Sequence, residues 1–143
     1  MVDMLSPYIV AGVAAWTLAQ GIKILLARLK KRSSWRSLYL SGGMPSAHSS
    51  TVTAVLVVVG VTEGVQSALF GITLLFSAIV IYDAVKLRRS SGEQGNAIVA
   101  LIKEQKSKVS LPRVALGHTP LEVLVGILLG IIVGIAIYFV FNT

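Results

Sequence analysis

The chain has 143 residues, 55% of them hydrophobic and only 13% charged, about half the charged fraction of an ordinary soluble domain. That length holds one domain, and a mean hydropathy of +0.81 places it in a membrane rather than in water. The absence of cysteine excludes disulfides and thiolate metal sites, while a net charge of +7 suggests nucleic acid only until the distribution of that charge is considered.

Residues 1–143 read as a single all-α integral membrane domain. Apolar runs at about 7–29, 48–62, 65–85 and 120–141 predict four transmembrane helices, each near the roughly 20 residues a spanning helix needs. The N-terminal run is not expected to be a cleaved signal, because Asp3 and no basic residue precedes it. All thirteen Lys and Arg residues fall at two connections. Lys23, Arg28, Lys30, Lys31, Arg32 and Arg36 flank the first, and Lys86, Arg88, Arg89, Lys103, Lys106, Lys108 and Arg113 flank the third. The positive-inside rule then puts both termini outside and both basic connections in the cytoplasm of a plasma or inner membrane. Topology accounts for the charge, so no nucleic-acid partner is expected.

In the first helix, Gln20 and Lys23 share one face, a polar pair deep enough to need partners. The basic stretch 30–39 carries Trp35 and Tyr39, suited to the headgroup layer. Then comes Ser41-Gly42-Gly43-Met44-Pro45-Ser46-Ala47-His48-Ser49, which bilayer solubility does not require. Its glycines allow close backbone approach. Pro45 can start a helix and Ser46 can cap one, and the first N–H groups of that helix would face an anion. Thr62-Glu63-Gly64 predicts an external turn. The third helix ends Tyr82-Asp83-Ala84, where a carboxylate against the helix dipole needs a cation such as Arg88, Arg89, Lys86 or Lys23.

Ser90 or Ser91 with Glu93 and Gln94 resembles a capping box. It predicts a short cytoplasmic amphipathic helix to about Lys108, with Ile98, Leu101 and Ile102 on its apolar face. Thr119, Pro120 and Glu122 form a full capping box for the last helix. Glu122 stands four residues after His118 and heads the row Gly126, Gly130, Gly134. Such a row marks a packed face and offers a surface for a homodimer.

Depth brings these residues together. Lys23, His48, Asp83 and His118 with Glu122 all fall at the cytoplasmic ends of their helices. Cations and helix N-termini bind oxyanions. One histidine can attack phosphorus if a carboxylate holds its other nitrogen, as Glu122 could hold His118. His48 can protonate the leaving oxygen and later activate water. Lys23, Arg88, Arg89, Ser46 and the backbone of Gly43 and Ala47 would meet the charge on the phosphoryl oxygens, with Asp83, Gln20 and Tyr82 in support. No metal set is expected among so many cations, and no cofactor.

Three motifs, Ser-Gly-Gly-Met-Pro-Ser-Ala-His-Ser at 41–49, Tyr-Asp-Ala followed by Arg-Arg at 82–89, and Leu-Gly-His-Thr-Pro-Leu-Glu-Val at 116–123, stand in order. Together they resemble the small divergent membrane branch of the type 2 phosphatidic acid phosphatase and vanadium haloperoxidase superfamily, over about residues 20–130. The resemblance implies a reduced phosphatase-like bundle. His118 would be the nucleophile that becomes phosphohistidine, Glu122 its orienting acid, His48 the general acid and Lys23 the lysine of the first motif. The chain departs from the main pattern in three places. Lys30-Lys31 replaces Arg-Pro, Ala47 replaces glycine, and Arg113 lies one residue too close to the last histidine, so Arg88 or Arg89 would supply the missing cation. Four spans also stand in place of six, which dimerisation through the glycine row would offset.

The expected activity is metal-independent, vanadate-sensitive hydrolysis of a lipid phosphomonoester or diphosphate at the cytoplasmic face. The alternative is a non-catalytic membrane protein that binds anionic lipid or phosphate, as a scaffold or transporter subunit. A haloperoxidase fits least, because bound vanadate would need the missing arginine positions.

Overall fold

A computed structural model of the chain describes residues 6–29, 43–112, 114 and 117–142, the side chains of Arg88 and Arg89 excepted. The basic stretch 30–39, Ser41, Gly42 and Arg113 lie outside the described residues. The described regular structure is helical: α1 (Pro7–Leu29), α2 (Ala47–Thr62), α3 (Ala68–Tyr82), a π-helical turn (Asp83–Leu87), α4 (Arg88–Glu104) and α5 (Pro120–Phe141).

The helix starts follow from local chemistry. Ser46 caps α2, its Oγ accepting from the Ser49 N–H at 3.4 Å, so Pro45 precedes the cap instead of opening the helix. The third apolar run begins later than expected, at Ala68 rather than residue 65. Gly64 turns the chain at φ +83°, a left-handed conformation that favours glycine, and Ser67 caps α3 by accepting from the Phe70 N–H at 3.1 Å.

The expected capping box at Ser90 and Ser91 does not form. The π-helical turn joins α3 to α4 without a break, so the preceding turn satisfies the first N–H groups of α4 and both serines lie inside it. The result is one 37-residue helical run, Ala68–Glu104. At 1.5 Å per residue it is about 55 Å long, well beyond a hydrocarbon core of about 30 Å. Its distal part therefore extends past the span, with Ile98 and Leu101 exposed.

Three helices, Pro7–Leu29, Ala68–Glu104 and Pro120–Phe141, are long and apolar enough to cross a membrane, and Ala47–Thr62 is apolar but shorter. That short helix is the centre of the bundle and packs against α1, α3 and α5. Size is sorted inside out. Ala11, Ala15, Ala54, Val58 and Val133 form the core, while Ile72, Leu75, Phe76, Ile79, Ile132 and Phe139 are mostly exposed. Lipid tails are as apolar as leucine, so helices in a bilayer associate by close packing and polar ties. Ser50 Oγ donates to the Gly126 carbonyl at 2.9 Å, tying α2 to α5, and Ser77 Oγ to the Val52 carbonyl at 3.3 Å, tying α3 to α2.

The glycine row is where α5 meets α2. A Cβ on Gly126 would stand 2.6 Å from the Ser46 carbonyl oxygen, one on Gly130 2.6 Å from that of Ser50, and one on Gly134 2.8 Å from that of Ala54. This corrects the expectation of a homodimer through Gly126, Gly130 and Gly134. Their face is already filled by the chain's own α2. At the far end of the bundle, Tyr8 donates to Glu63 and lies 3.1 Å from Thr62 Oγ1, tying α1 to α2.

Candidate functional site

At the other end, three elements meet around the start of α5. Thr119 caps the helix, accepting from the Glu122 N–H at 3.3 Å, and Glu122 Oε2 accepts from the Thr119 N–H at 3.0 Å. The reciprocal box that pattern predicts is thus complete. The same Oε2 lies 3.2 Å from His118 Nδ1. Oε1 accepts from the Gly43 N–H at 3.1 Å, and the Glu122 backbone carbonyl accepts from the Ser46 N–H at 3.0 Å. One residue therefore caps α5, orients the buried His118 and anchors the turn before α2.

His118 is 5% exposed, and its backbone N–H donates to the Ala84 carbonyl in the π-helical turn at 3.1 Å. His48, on the first turn of α2, is exposed, and the two imidazole centroids are 6.4 Å apart with their planes at 60°. Lys23 approaches from α1. Its Cδ would be 3.9 Å from a Cβ on Gly43. Asp83 opens the π-helical turn, and its N–H reaches the carbonyls of Ile79 and Val80. π-Helical turns of this kind are frequent at functional sites.

Lys23, Gly43, His48, His118 and Glu122 are brought together. Others differ from expectation. Ser46 is fully buried, its Oγ accepting from Ser49 Oγ at 3.0 Å, so it supports α2 and does not offer a hydroxyl to a phosphate. The Gly43 N–H is directed to the Glu122 carboxylate, which takes the place expected for a phosphate oxygen. Ala47 is buried in the first turn of α2. Gln20 is partly buried one turn from Lys23, and Tyr82 is exposed. No described hydrogen bond or ring contact ties either to the histidine pair. Arg88 and Arg89 begin α4, next to the π-helical turn, but their side chains lie outside the described residues.

Two hollows flank this cluster. A groove of about 240 Å³ between α1 and α5 is lined by Ile22, Leu26, Met44, Pro45, Val125, Leu128, Leu129 and Ile132. A polar hollow of about 330 Å³ is lined by Val85, Lys86, Ser90, Glu93 and Pro120. Sequence reasoning found neither, nor the Ala84 carbonyl, because the groove joins α1 to α5, the hollow needs Pro120 beside residues 85–93, and the Ala84–His118 bond joins distant positions. Among the described residues, no three His, Asp or Glu side chains converge to hold a metal ion.

The comparisons with known proteins agree with a membrane protein. The uncharacterized membrane protein YuiD of Bacillus subtilis (strain 168) is 32% identical over 149 residues, spanning 93% of this chain and 94% of the relative. No solved structure matches the chain. The family model described as the Divergent PAP2 family matches residues 4–133. With nearly the whole of its helical bundle inside that match, the chain belongs to the Divergent PAP2 family.

Proposed function

We propose that this protein is a membrane-embedded phosphatase of the type 2 phosphatidic acid phosphatase kind, acting on a phosphorylated lipid through a phosphohistidine. The observation that carries it is the line Glu122–His118–His48, with the carboxylate 3.2 Å from His118 Nδ1 and the second imidazole 6.4 Å from the first. Family membership supports a phosphatase relationship.

A carboxylate that accepts the Nδ1 proton leaves Nε2 with the lone pair and stabilises the cation that forms during attack. The Nε2–P bond forms as the P–O ester bond breaks, and His48 gives its proton to the departing oxygen. Water then attacks phosphorus, the N–P bond breaks, and the proton returns to His48 as phosphate leaves. Lys23 lies where it can neutralise the phosphoryl oxygens, and Arg88 and Arg89 begin α4 beside the same turn. The basic flanks support a site on the cytoplasmic side, with Ala47–Thr62 as a short fourth span and both termini outside.

The test is phosphate release in detergent from a panel of lipid phosphates, with chelator present. Release that vanadate inhibits and His118→Ala abolishes is expected, and equal release by the variant would overturn the mechanism. Binding of a phosphate analogue without turnover by the wild type would favour the non-catalytic alternative.

A further inference from the structure

His118 precedes the first residue of α5 by two positions, so the helix itself does not set where its backbone sits. Glu122 orients the imidazole, but the described backbone bond that ties residue 118 to another element is the one to the Ala84 carbonyl at 3.1 Å. Ala84 is buried in the π-helical turn. A second seat lies further along the same helical run. Gly92 is buried and Gly95 half-buried, while their neighbours Ser91, Glu93, Gln94 and Asn96 are exposed. Glycine inside a helix is disfavoured relative to alanine, and here its lack of a side chain is used. A Cβ on Gly95 would stand 3.1 Å from Val114 Cγ2, 3.4 Å from Cγ1 and 3.6 Å from Cβ. The chain that returns from α4 to α5 therefore rests on Gly95 at Val114 and on Ala84 at His118.

The two seats are too far apart to act independently. Gly95 follows Ala84 by eleven residues, about 16 Å of helical rise. His118 follows Val114 by only four, which reach at most about 14 Å. The side-chain contact at one end and the hydrogen bond at the other take up the remainder. A shift of Val114 off α4 is thus passed to the backbone of His118, with no slack to absorb it. Resting on the phosphatase reading above, we infer that Gly95 is a positioning residue for the nucleophile. Its missing side chain lets Val114 lie on α4, and that contact, together with the Ala84 carbonyl, sets where His118 Nε2 stands relative to phosphorus. α4 thereby becomes part of the frame that holds the nucleophile.

Gly95→Leu supplies a better helix former but fills the seat. It is expected to lower kcat about 10–100-fold, as displacing a reacting group by about 1 Å does, with KM within twofold. Gly71→Leu on α3, where nothing lies within 4 Å of the added Cβ, controls for the loss of a helix glycine and leaves both constants unchanged. Adding Val114→Ala to Gly95→Leu makes room again and is expected to raise kcat at least fivefold, and no recovery overturns the inference. A clamp tests the same contact from the other side. The chain has no cysteine, and 3.6 Å between β-carbons suits a disulfide. In the Gly95→Cys, Val114→Cys double variant the bond is expected to form under mild oxidation, and the oxidised form to turn over at least as fast as the reduced one. No bond, or an oxidised form that is slower until reductant is added, would overturn the inference, since the site would then work with Val114 off α4. Position is also read without turnover, by nitrogen-15 NMR of the full chain in detergent. With His48→Gln, His118 is the one imidazole left. Its ring resonances are expected to shift in Gly95→Leu and to return when Val114→Ala is added. Shifted and rescued resonances in a protein whose parent releases no phosphate would overturn the phosphatase reading and leave the positioning standing. Phosphate release with resonances and kcat unmoved by Gly95→Leu would do the reverse.

Discussion

Glu122 and His118 are joined through Oε2 and Nδ1 at 3.2 Å, and the same oxygen accepts from the Thr119 N–H at 3.0 Å. Helix cap and imidazole share one acceptor. Glu122→Gln keeps a carbonyl oxygen for the cap but removes the charge that stabilises an imidazolium. Phosphate release is expected to fall about 10²–10⁴-fold, with a modest drop in melting temperature because the Gln amide replaces the oxygen that accepts from the Gly43 N–H. Glu122→Ala loses the cap as well, and should cost about 1 kcal/mol more in stability. Thermal unfolding in detergent beside an activity assay separates the two. An active Glu122→Gln would remove the carboxylate from the mechanism.

His48 is exposed where His118 is buried, as suits a group that trades protons with substrate and water. If it protonates the leaving oxygen, its removal should matter most when that oxygen is a strong base. His48→Gln is expected to lose about 10²–10⁴-fold on an alkyl phosphate, and at least tenfold less on a nitrophenyl phosphate. The steady-state ratio of the two substrates reads this out. An equal loss on both would assign His48 to binding instead.

Lys23 reaches the cluster from α1 beside Gly43. A hydrogen bond to a charged group contributes about 1.5–3 kcal/mol, so Lys23→Met should lower kcat/KM about 10–100-fold. Bilayer anchoring alone would leave kcat/KM intact, and measurement at several substrate concentrations decides between them.

The α2–α5 seam predicts opposite effects for two identical substitutions. In Gly130→Ala the new Cβ would stand 2.6 Å from the Ser50 carbonyl and 2.7 Å from Thr53 Cβ, so the helices must part. The expected loss is about 1–3 kcal/mol, partly offset by the better helix propensity of alanine. Around Gly71 nothing lies within 4 Å, and Gly71→Ala should be neutral or slightly stabilising. Denaturation of both variants in the same detergent makes the comparison.

Some of this was legible in the sequence because it is local. The apolar runs of α1 and α5 and the Thr119-Pro120-Leu121-Glu122 box lie in consecutive residues, and the helices take those bounds. The placing of both histidines at one depth needed only helix ends. The start of α4 misled because Ser90 and Glu93 have cap spacing, and nothing nearby shows that the backbone arrives already helical. The Gly43–Glu122 bond joins positions 79 apart, so a turn that reads as an anion cradle is latched to a carboxylate instead. The glycine row marked a packed face, but periodicity cannot say which helix packs there.

The inside-out sorting of size has a practical consequence. Helix recognition is carried by small residues and backbone contacts at the α2–α5 seam, while bulky side chains such as Ile72, Leu75 and Ile79 are mostly exposed. Outer surface and inner fit are thus written in separate sets of positions. Replacing that outer set with glutamate, lysine and glutamine is a route to a water-soluble version of the bundle, in which the histidine site could be studied free of detergent.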